Sequence, residues 1–90
     1  MIKTNQMQSN KGNYIANQFV LTDSDNGLEY FQSYNSIIAK RKQGHYTILD
    51  VYYWNYSRTT SKYRSIFLGE NTDETKRKIK EGIYKLENLN

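Results

Sequence analysis

The chain has 90 residues, no cysteine and a net charge of +4, which fits one domain and excludes disulfides and thiolate metal sites. It has no run of about 18 apolar residues and no apolar stretch near its start, so we expect a cytoplasmic protein without a membrane span. Residues 31–90 hold eleven of the thirteen Lys and Arg but six of the nine acids, a surplus that favours a polyanionic partner as well as plain solubility.

The first half of the chain is typical of strands separated by short turns. Residues 1–12 are polar, and we expect them to be flexible or to form a short edge strand. A later turn ends in Asn26-Gly27, a pair that favours a tight hairpin. Loops of two to six residues cannot make parallel crossovers, so the pattern predicts an antiparallel meander. The main strands are expected at residues 13–21, 28–34, 37–40 and 45–51.

The second half predicts two short helices. Ser57 is a good N-cap, and Tyr63, Ile66 and Phe67 follow at helical spacing, which predicts a helix over residues 58–68. Gly69 then fits the position after a helix where a positive φ is favoured.

A second helix is expected from Asn71, with acids in its first turn and Lys or Arg towards its end at Gly82. Residues 83–87 can add a last strand at the sheet edge. The sequence therefore predicts one α+β domain over residues 1–90. It consists of a small antiparallel sheet of three to five strands, with one or two short helices on one face and a thin, tyrosine-rich core.

Catalytic residues are scarce. His45 is the only histidine, and no nucleophile and carboxylate are recognisable as its partners. Asp50 is an isolated acid in an apolar segment, where a turn or cap role is favoured over an acid, base or metal-ligand role. Residues 23–27 begin like a calcium loop but lack its downstream Glu. The five glycines stand singly, so no phosphate loop is present. We expect no enzyme, no metal site and no cofactor.

The densest polar cluster covers residues 56–65 and opens the first predicted helix. On a helical wheel Arg58, Ser61 and Lys62 lie opposite the apolar stripe, with Arg64 flanking them. Hydroxyl and guanidinium groups at a helix start are typical of a phosphate contact, and the tyrosines just before the helix can stack on bases. The alternative is an ordinary amphipathic helix with a solvated polar face.

Two further basic runs, Lys40–Lys42 and Lys76–Lys80, extend that surface only if they point the same way. At a sheet edge and at a helix end, such charges are also common as solvated surface. The residues predicted to contact a partner are Tyr56, Ser57, Arg58, Thr59, Thr60, Ser61, Lys62, Arg64, Lys40, Arg41 and Lys42.

Two segments resemble a family of small, largely uncharacterised proteins from phages, plasmids and other mobile elements. Phe31–Ala39 follows the pattern F-x-S-Y-x-[ST]-x-I-A, and Tyr56–Tyr63 follows Y-S-x-T-T-x-K-[HY]. A Phe-Leu pair comes after the second motif, here Phe67-Leu68. The resemblance covers about residues 28–70, and Tyr63 stands where many relatives have His. It implies no established activity and argues against catalysis at that position.

Small orphan proteins of such elements often bind and block host machinery, including CRISPR–Cas effectors, or bind nucleic acid. Tyrosine and arginine are also enriched at interface hot spots. The favoured hypothesis is a non-enzymatic inhibitor of a host protein or ribonucleoprotein, such as a defence effector. The alternatives are a small basic DNA- or RNA-binding protein, with a regulatory role, and a structural or self-associating accessory protein. The oligomeric state stays open.

Overall fold

The computed structural model describes residues 1–90 as a six-stranded sheet with two helices. The strands follow one another across the sheet in the order of the chain, and both helices come between the last two strands. The elements are β1 (Ile2–Gln8), β2 (Tyr14–Asp23), β3 (Leu28–Ser33), β4 (Ser36–Lys42), β5 (Tyr46–Asp50), α1 (Arg58–Leu68), α2 (Thr72–Lys80) and β6 (Lys85–Glu87).

The predicted α+β class is confirmed, but the sheet has one strand more than the expected maximum of five. Of the two expectations for residues 1–12, the edge strand is confirmed, because β1 pairs with β2 over most of its length at the edge of the sheet. Its side chains are almost all exposed, so the sequence shows no apolar alternation there. Backbone pairing, which needs no apolar side chains, forms the strand.

The predicted antiparallel meander is confirmed for β1 to β5, and β6 pairs at the sheet edge as expected. β6, however, runs parallel to β5, which the sequence analysis did not predict. The two helices supply the long connection that a parallel pair needs.

The core lies between the sheet and the helices. One cross-strand row joins Val20, Phe31, Ala39 and Leu49, and directly paired residues share a sheet face. Phe67 of α1 stacks on Phe31 at a centroid distance of 5.8 Å. Ile79 of α2 also packs against this core cluster, so both helices lie on the face that carries the row. The core is thin, because only six hydrophobic residues are buried, compared with seven polar or charged ones.

Side-chain caps define both helices where the sequence predicts them. The Ser57 hydroxyl accepts the backbone N–H of Thr60 at 3.1 Å, and Gly69 ends α1 with φ = 72°. Asn71 and Glu74 form a reciprocal capping box at the start of α2. Each cap satisfies backbone groups that the helix itself leaves without partners.

The buried face of α1 differs from the predicted stripe. Thr60, Arg64 and Phe67 are buried, at helical spacing, whereas Ile66 is 57% exposed. The inclusion of Ile66 in the apolar stripe was therefore wrong. Because polar residues occupy two of the three buried positions, a stripe chosen by hydrophobicity alone is rotated around the helix relative to the face that is buried.

A buried carboxylate, Glu70, joins the end of α1 to α2 and to the chain before β6. It accepts hydrogen bonds from Thr75 Oγ1 at 2.6 Å, Lys78 Nζ at 2.7 Å and Tyr84 Oη at 2.6 Å. Burial alone would raise the pKa of Glu70, but these donors outweigh it and the pKa lies below its usual value. The hydrogen bond to Glu70 raises the pKa of Lys78, and burial raises that of Tyr84.

Replacing Glu70 with Gln should destabilise the fold by about 1.5–3 kcal/mol at pH 7, since three donors lose a charged acceptor. A carboxylate with a lowered folded pKa stabilises above its unfolded pKa and loses that contribution as pH falls through the folded pKa. The difference between the wild type and Glu70→Gln should therefore shrink below about pH 4.5. Urea unfolding at pH 7, 5 and 3 measures it, and Glu87→Gln is the matched control, because Glu87 is exposed on β6 and takes part in no ion pair of the fold.

Candidate partner-binding site

Three exposed tyrosine side chains lie in one loop, residues 51–56 between β5 and α1, here named the tyrosine loop. Tyr52 is 70% exposed, Tyr56 48% and Tyr53 37%. The rings of Tyr53 and Tyr56 meet edge to face, with centroids 5.3 Å apart. The loop therefore presents three large rings to solvent, two of which hold each other in place.

The buried carboxylate of Asp50 fixes the start of the tyrosine loop. One oxygen accepts the backbone N–H groups of Tyr52 at 3.0 Å and Tyr53 at 2.9 Å. The other accepts from Leu89 N at 2.7 Å and from the side chain of Asn90 at 3.0 Å. The prediction that Asp50 is a turn-forming residue is confirmed by its bonds to the nearby Tyr52 and Tyr53. Its other two donors come from the far end of the chain.

The buried guanidinium of Arg64 fixes the end of the same loop. It donates to the carbonyl of Trp54, to Asn55 Oδ1 at 3.3 Å and to Ser61 Oγ at 3.3 Å. A further bond reaches Thr72 Oγ1 at 2.8 Å, and the guanidinium carbon lies 5.3 Å from the Trp54 ring centre. Arg64 was predicted beside the exposed face of α1, and this placement is wrong because the residue is fully buried.

Arg64 is a cation held by neutral acceptors. No carboxylate lies within ion-pair distance of it, and its Nε has no hydrogen-bond partner. Burial lowers the pKa of Arg64, while the charge of Glu70 acts in the opposite direction. Arginine nevertheless stays protonated in proteins. The oxygen atoms of these neutral groups therefore stabilise the positive charge of the guanidinium. Losing them would leave a buried charge without compensation.

Several residues of the predicted contact set have structural roles. Thr60 is fully buried and shares a hydrogen bond of 2.9 Å with Ser33 of β3, so its predicted surface position is wrong. Ser57 caps α1, and Ser61 donates to Asn55 at 2.7 Å. These contacts attach the helix to the sheet and to the tyrosine loop.

The remaining members of that set are exposed around the helix start. Tyr56, Arg58, Thr59 and Lys62 are all open to solvent. An open depression of about 390 Å³ lies between Tyr56 and Arg58. Lys62 lies one helical turn beyond Arg58 and therefore on the same side of α1. We name the exposed surface formed by Tyr52, Tyr53, Tyr56, Arg58, Thr59 and Lys62 the loop–helix surface.

The three basic runs of the sequence do not form one face. Arg41 points towards the helices, where it donates to Glu29 at 3.0 Å and to the carbonyl of Phe67 at 2.8 Å. Its neighbours Lys40 and Lys42 alternate to the other side of the sheet. On α2, Arg77 pairs with Glu81 at 2.7 Å and Lys78 with Glu70. Lys40 and Lys42 therefore cannot extend the loop–helix surface.

Tyr52 and Tyr53 belong to this surface, although the predicted contact set omits them. Their signal in the sequence is a run of aromatic residues without apolar alternation, directly after a strand. Elsewhere, His45 lies exposed in the turn between β4 and β5, and no three His, Cys, Asp or Glu side chains come together as metal ligands. Neither helix has the length and apolarity that crossing a membrane requires.

Comparison with known proteins gives one match. Residues 2–82 match a family of unknown function, DUF8033, a span that contains every element except β6. No curated protein and no solved structure matches the chain. The family description names no activity or partner.

Arg64→Met keeps most of the side-chain volume but removes every hydrogen bond to the loop. We expect it to destabilise the fold by about 2–3 kcal/mol, because buried acceptors lose their donor. Trp54 is the only tryptophan, so its fluorescence reports the loop directly, and its emission should shift to longer wavelength. Arg58→Met, on the exposed side of the same helix, is the matched control. Unchanged Trp54 emission in folded Arg64→Met would contradict the anchoring role.

Proposed function

Because the chain belongs to DUF8033, a family of unknown function, we propose its function from its own surface: a non-enzymatic protein that binds and blocks a larger host protein or ribonucleoprotein. The observation that carries this proposal is the tyrosine loop, in which two buried charged residues hold the backbone from which the exposed rings project. Asp50 fixes one end of the loop and Arg64 the other.

Such an arrangement suits binding because it limits the entropy lost on association. Exposed tyrosines give a large contact area with only two side-chain torsions each. The backbone of Tyr52 and Tyr53 is already fixed by hydrogen bonds, so less freedom remains to be lost when a partner arrives. Tyrosine is also among the residues that dominate binding energy at interfaces.

The charge beside the loop indicates what kind of partner is favoured. Arg58 and Lys62 are exposed and take part in no ion pair of the fold. They favour an acidic protein patch or the RNA-bearing surface of a ribonucleoprotein. A basic surface of this kind does not imitate DNA, so the protein would act by covering a surface and not by replacing a nucleic-acid substrate.

The resemblance of residues 28–70 to proteins of phages and other mobile elements supports a host target. The guide RNA of an RNA-guided defence effector is a polyanion, which suits the positive charge of Arg58 and Lys62. The proposed role is therefore inhibition of a defence effector, in the manner of an anti-CRISPR protein.

Tyr52→Ala should weaken binding to the target about thirtyfold, as expected for a hot-spot residue worth about 2 kcal/mol. Tyr14→Ala is the matched control, because Tyr14 is 68% exposed and lies on β2, three strands across the sheet from β5. Co-elution of each variant with purified RNA-guided effector complexes, with and without guide RNA, measures the effect. The inhibition of target cleavage should fall in parallel.

Failure of the wild type to co-elute with any effector or to inhibit its cleavage would contradict this function. Equal losses in Tyr52→Ala and Tyr14→Ala would place the contact elsewhere on the protein. A complex that forms only with guide RNA present, and is lost after nuclease treatment, would assign the RNA as the contacted component.

A further inference from the structure

Neither helix covers the other side of the sheet, and the residues along its centre are all half-buried or exposed. We name this side the open face. Its central row runs across all six strands through directly paired residues, which share one side of the sheet. The members of that row are Thr4, Leu21, Tyr30, Lys40, Ile48 and Lys85. The neighbouring row of Val20, Phe31, Ala39 and Leu49 points to the core, so the two rows lie on opposite sides.

Aromatic side chains cross the open face on a diagonal. Phe19 pairs with Gln32, so Tyr30 is its diagonal neighbour on the next strand at roughly 7–8 Å. Lys42 is the diagonal neighbour of Tyr30 in the same way, and Tyr46 pairs directly with Lys42. An aromatic, aromatic, basic, aromatic sequence thus runs from β2 to β5. None of these side chains packs against the core cluster.

The cations of the open face are free of internal partners. Lys40, Lys42 and Lys85 take part in none of the ion pairs of the fold. Asp23 lies at the rim, where its carboxylate is used by the turn that contains Asn26. Glu87 lies on the same face two residues from Lys85, where it pairs with Asp50, whose carboxylate is used by the tyrosine loop and by Leu89. The middle of the open face is therefore positively charged and carries rings and aliphatic side chains.

We propose that the open face binds single-stranded nucleic acid, with bases on Phe19, Tyr30 and Tyr46 and phosphates on Lys40, Lys42 and Lys85. Every base has an aromatic face that stacks on such rings, and a basic surface follows the phosphate backbone of the strand. The site is therefore expected to bind strands with little preference for their base sequence. This activity goes beyond the proposed function and does not depend on it, since the loop–helix surface contributes no residue to it.

The charges distinguish this partner from the other candidates for an uncovered sheet. A second copy docked on the same face would bring lysines opposite lysines, which is destabilising. A duplex presents its phosphates outward and keeps its bases stacked on one another, so the rings would lack partners. A single strand satisfies both the rings and the cations.

Fluorescence anisotropy of labelled 20-nucleotide U and dT strands tests the proposal against a duplex of the same length. At low salt the wild type should bind both strands more tightly than the duplex. The triple variant Lys40→Gln, Lys42→Gln, Lys85→Gln should bind with a log–log salt slope shallower by about 2, because each phosphate contact contributes about 0.7 for single strands. Lys11→Gln, Lys76→Gln, Lys80→Gln removes the same charge outside the open face and should keep most of the slope.

The aromatic contacts are tested by Tyr30→Leu and Tyr30→Phe, which share the position but differ in the ring. Tyr30→Leu should weaken strand binding about tenfold, whereas Tyr30→Phe should keep it. Circular dichroism and Trp54 emission confirm that each variant is folded.

The proposal would be overturned by no strand binding at 50 mM salt, by equal affinity for duplex, by equal slopes in the two lysine triples, or by equal loss in Tyr30→Leu and Tyr30→Phe. A dimer in light scattering that the open-face triple dissociates would assign the face to a second copy, and so would also overturn it. Tyr52→Ala should bind strands like the wild type, so failure here and failure of the effector-binding role are separable.

Discussion

The fold depends on one buried charge that is satisfied by neutral groups. Arg64 lies buried between α1, the tyrosine loop and the start of α2, and it donates to a loop carbonyl, an amide oxygen and two hydroxyls. Because a buried cation is costly unless these acceptors stay in place, the loop before α1 and the start of α2 are held in fixed positions relative to the helix. The tyrosine loop thus owes its shape to polar contacts, in a domain whose hydrophobic core is too small to position every segment.

Local chemistry explains why the helices and most strands were predictable from the sequence. Ser57 and Asn71 cap the helices where the side-chain pattern indicates, and the Asn26-Gly27 pair lies in the hairpin turn between β2 and β3. Each of these signals needs only a few neighbouring residues. The parallel pairing of β6 and the strand β1 lack such signals, since one depends on a crossover through two helices and the other has no apolar face.

The candidate site was predictable in position but not in its inner construction. The sequence indicates the start of α1 as a polar, hydroxyl-rich surface, and Arg58, Thr59 and Lys62 are exposed there. It does not indicate that Thr60 and Arg64 turn inward, because a helical wheel drawn from hydrophobicity assigns polar residues to the outside. The donors from Leu89 and Asn90 to Asp50, 39 and 40 residues apart, leave no local pattern at all.

The hydrogen bonds that Leu89 and Asn90 donate to Asp50 also set a condition for completing the tyrosine loop. The strands β1 to β5 pair with sequence neighbours and close only short loops, so their hairpins can form while later residues are still being synthesised. Asp50, in contrast, receives two of its four donors from residues 89 and 90, after both helices and β6 have been added. The tyrosine loop can therefore reach its full set of hydrogen bonds only after residues 89 and 90 have joined the domain.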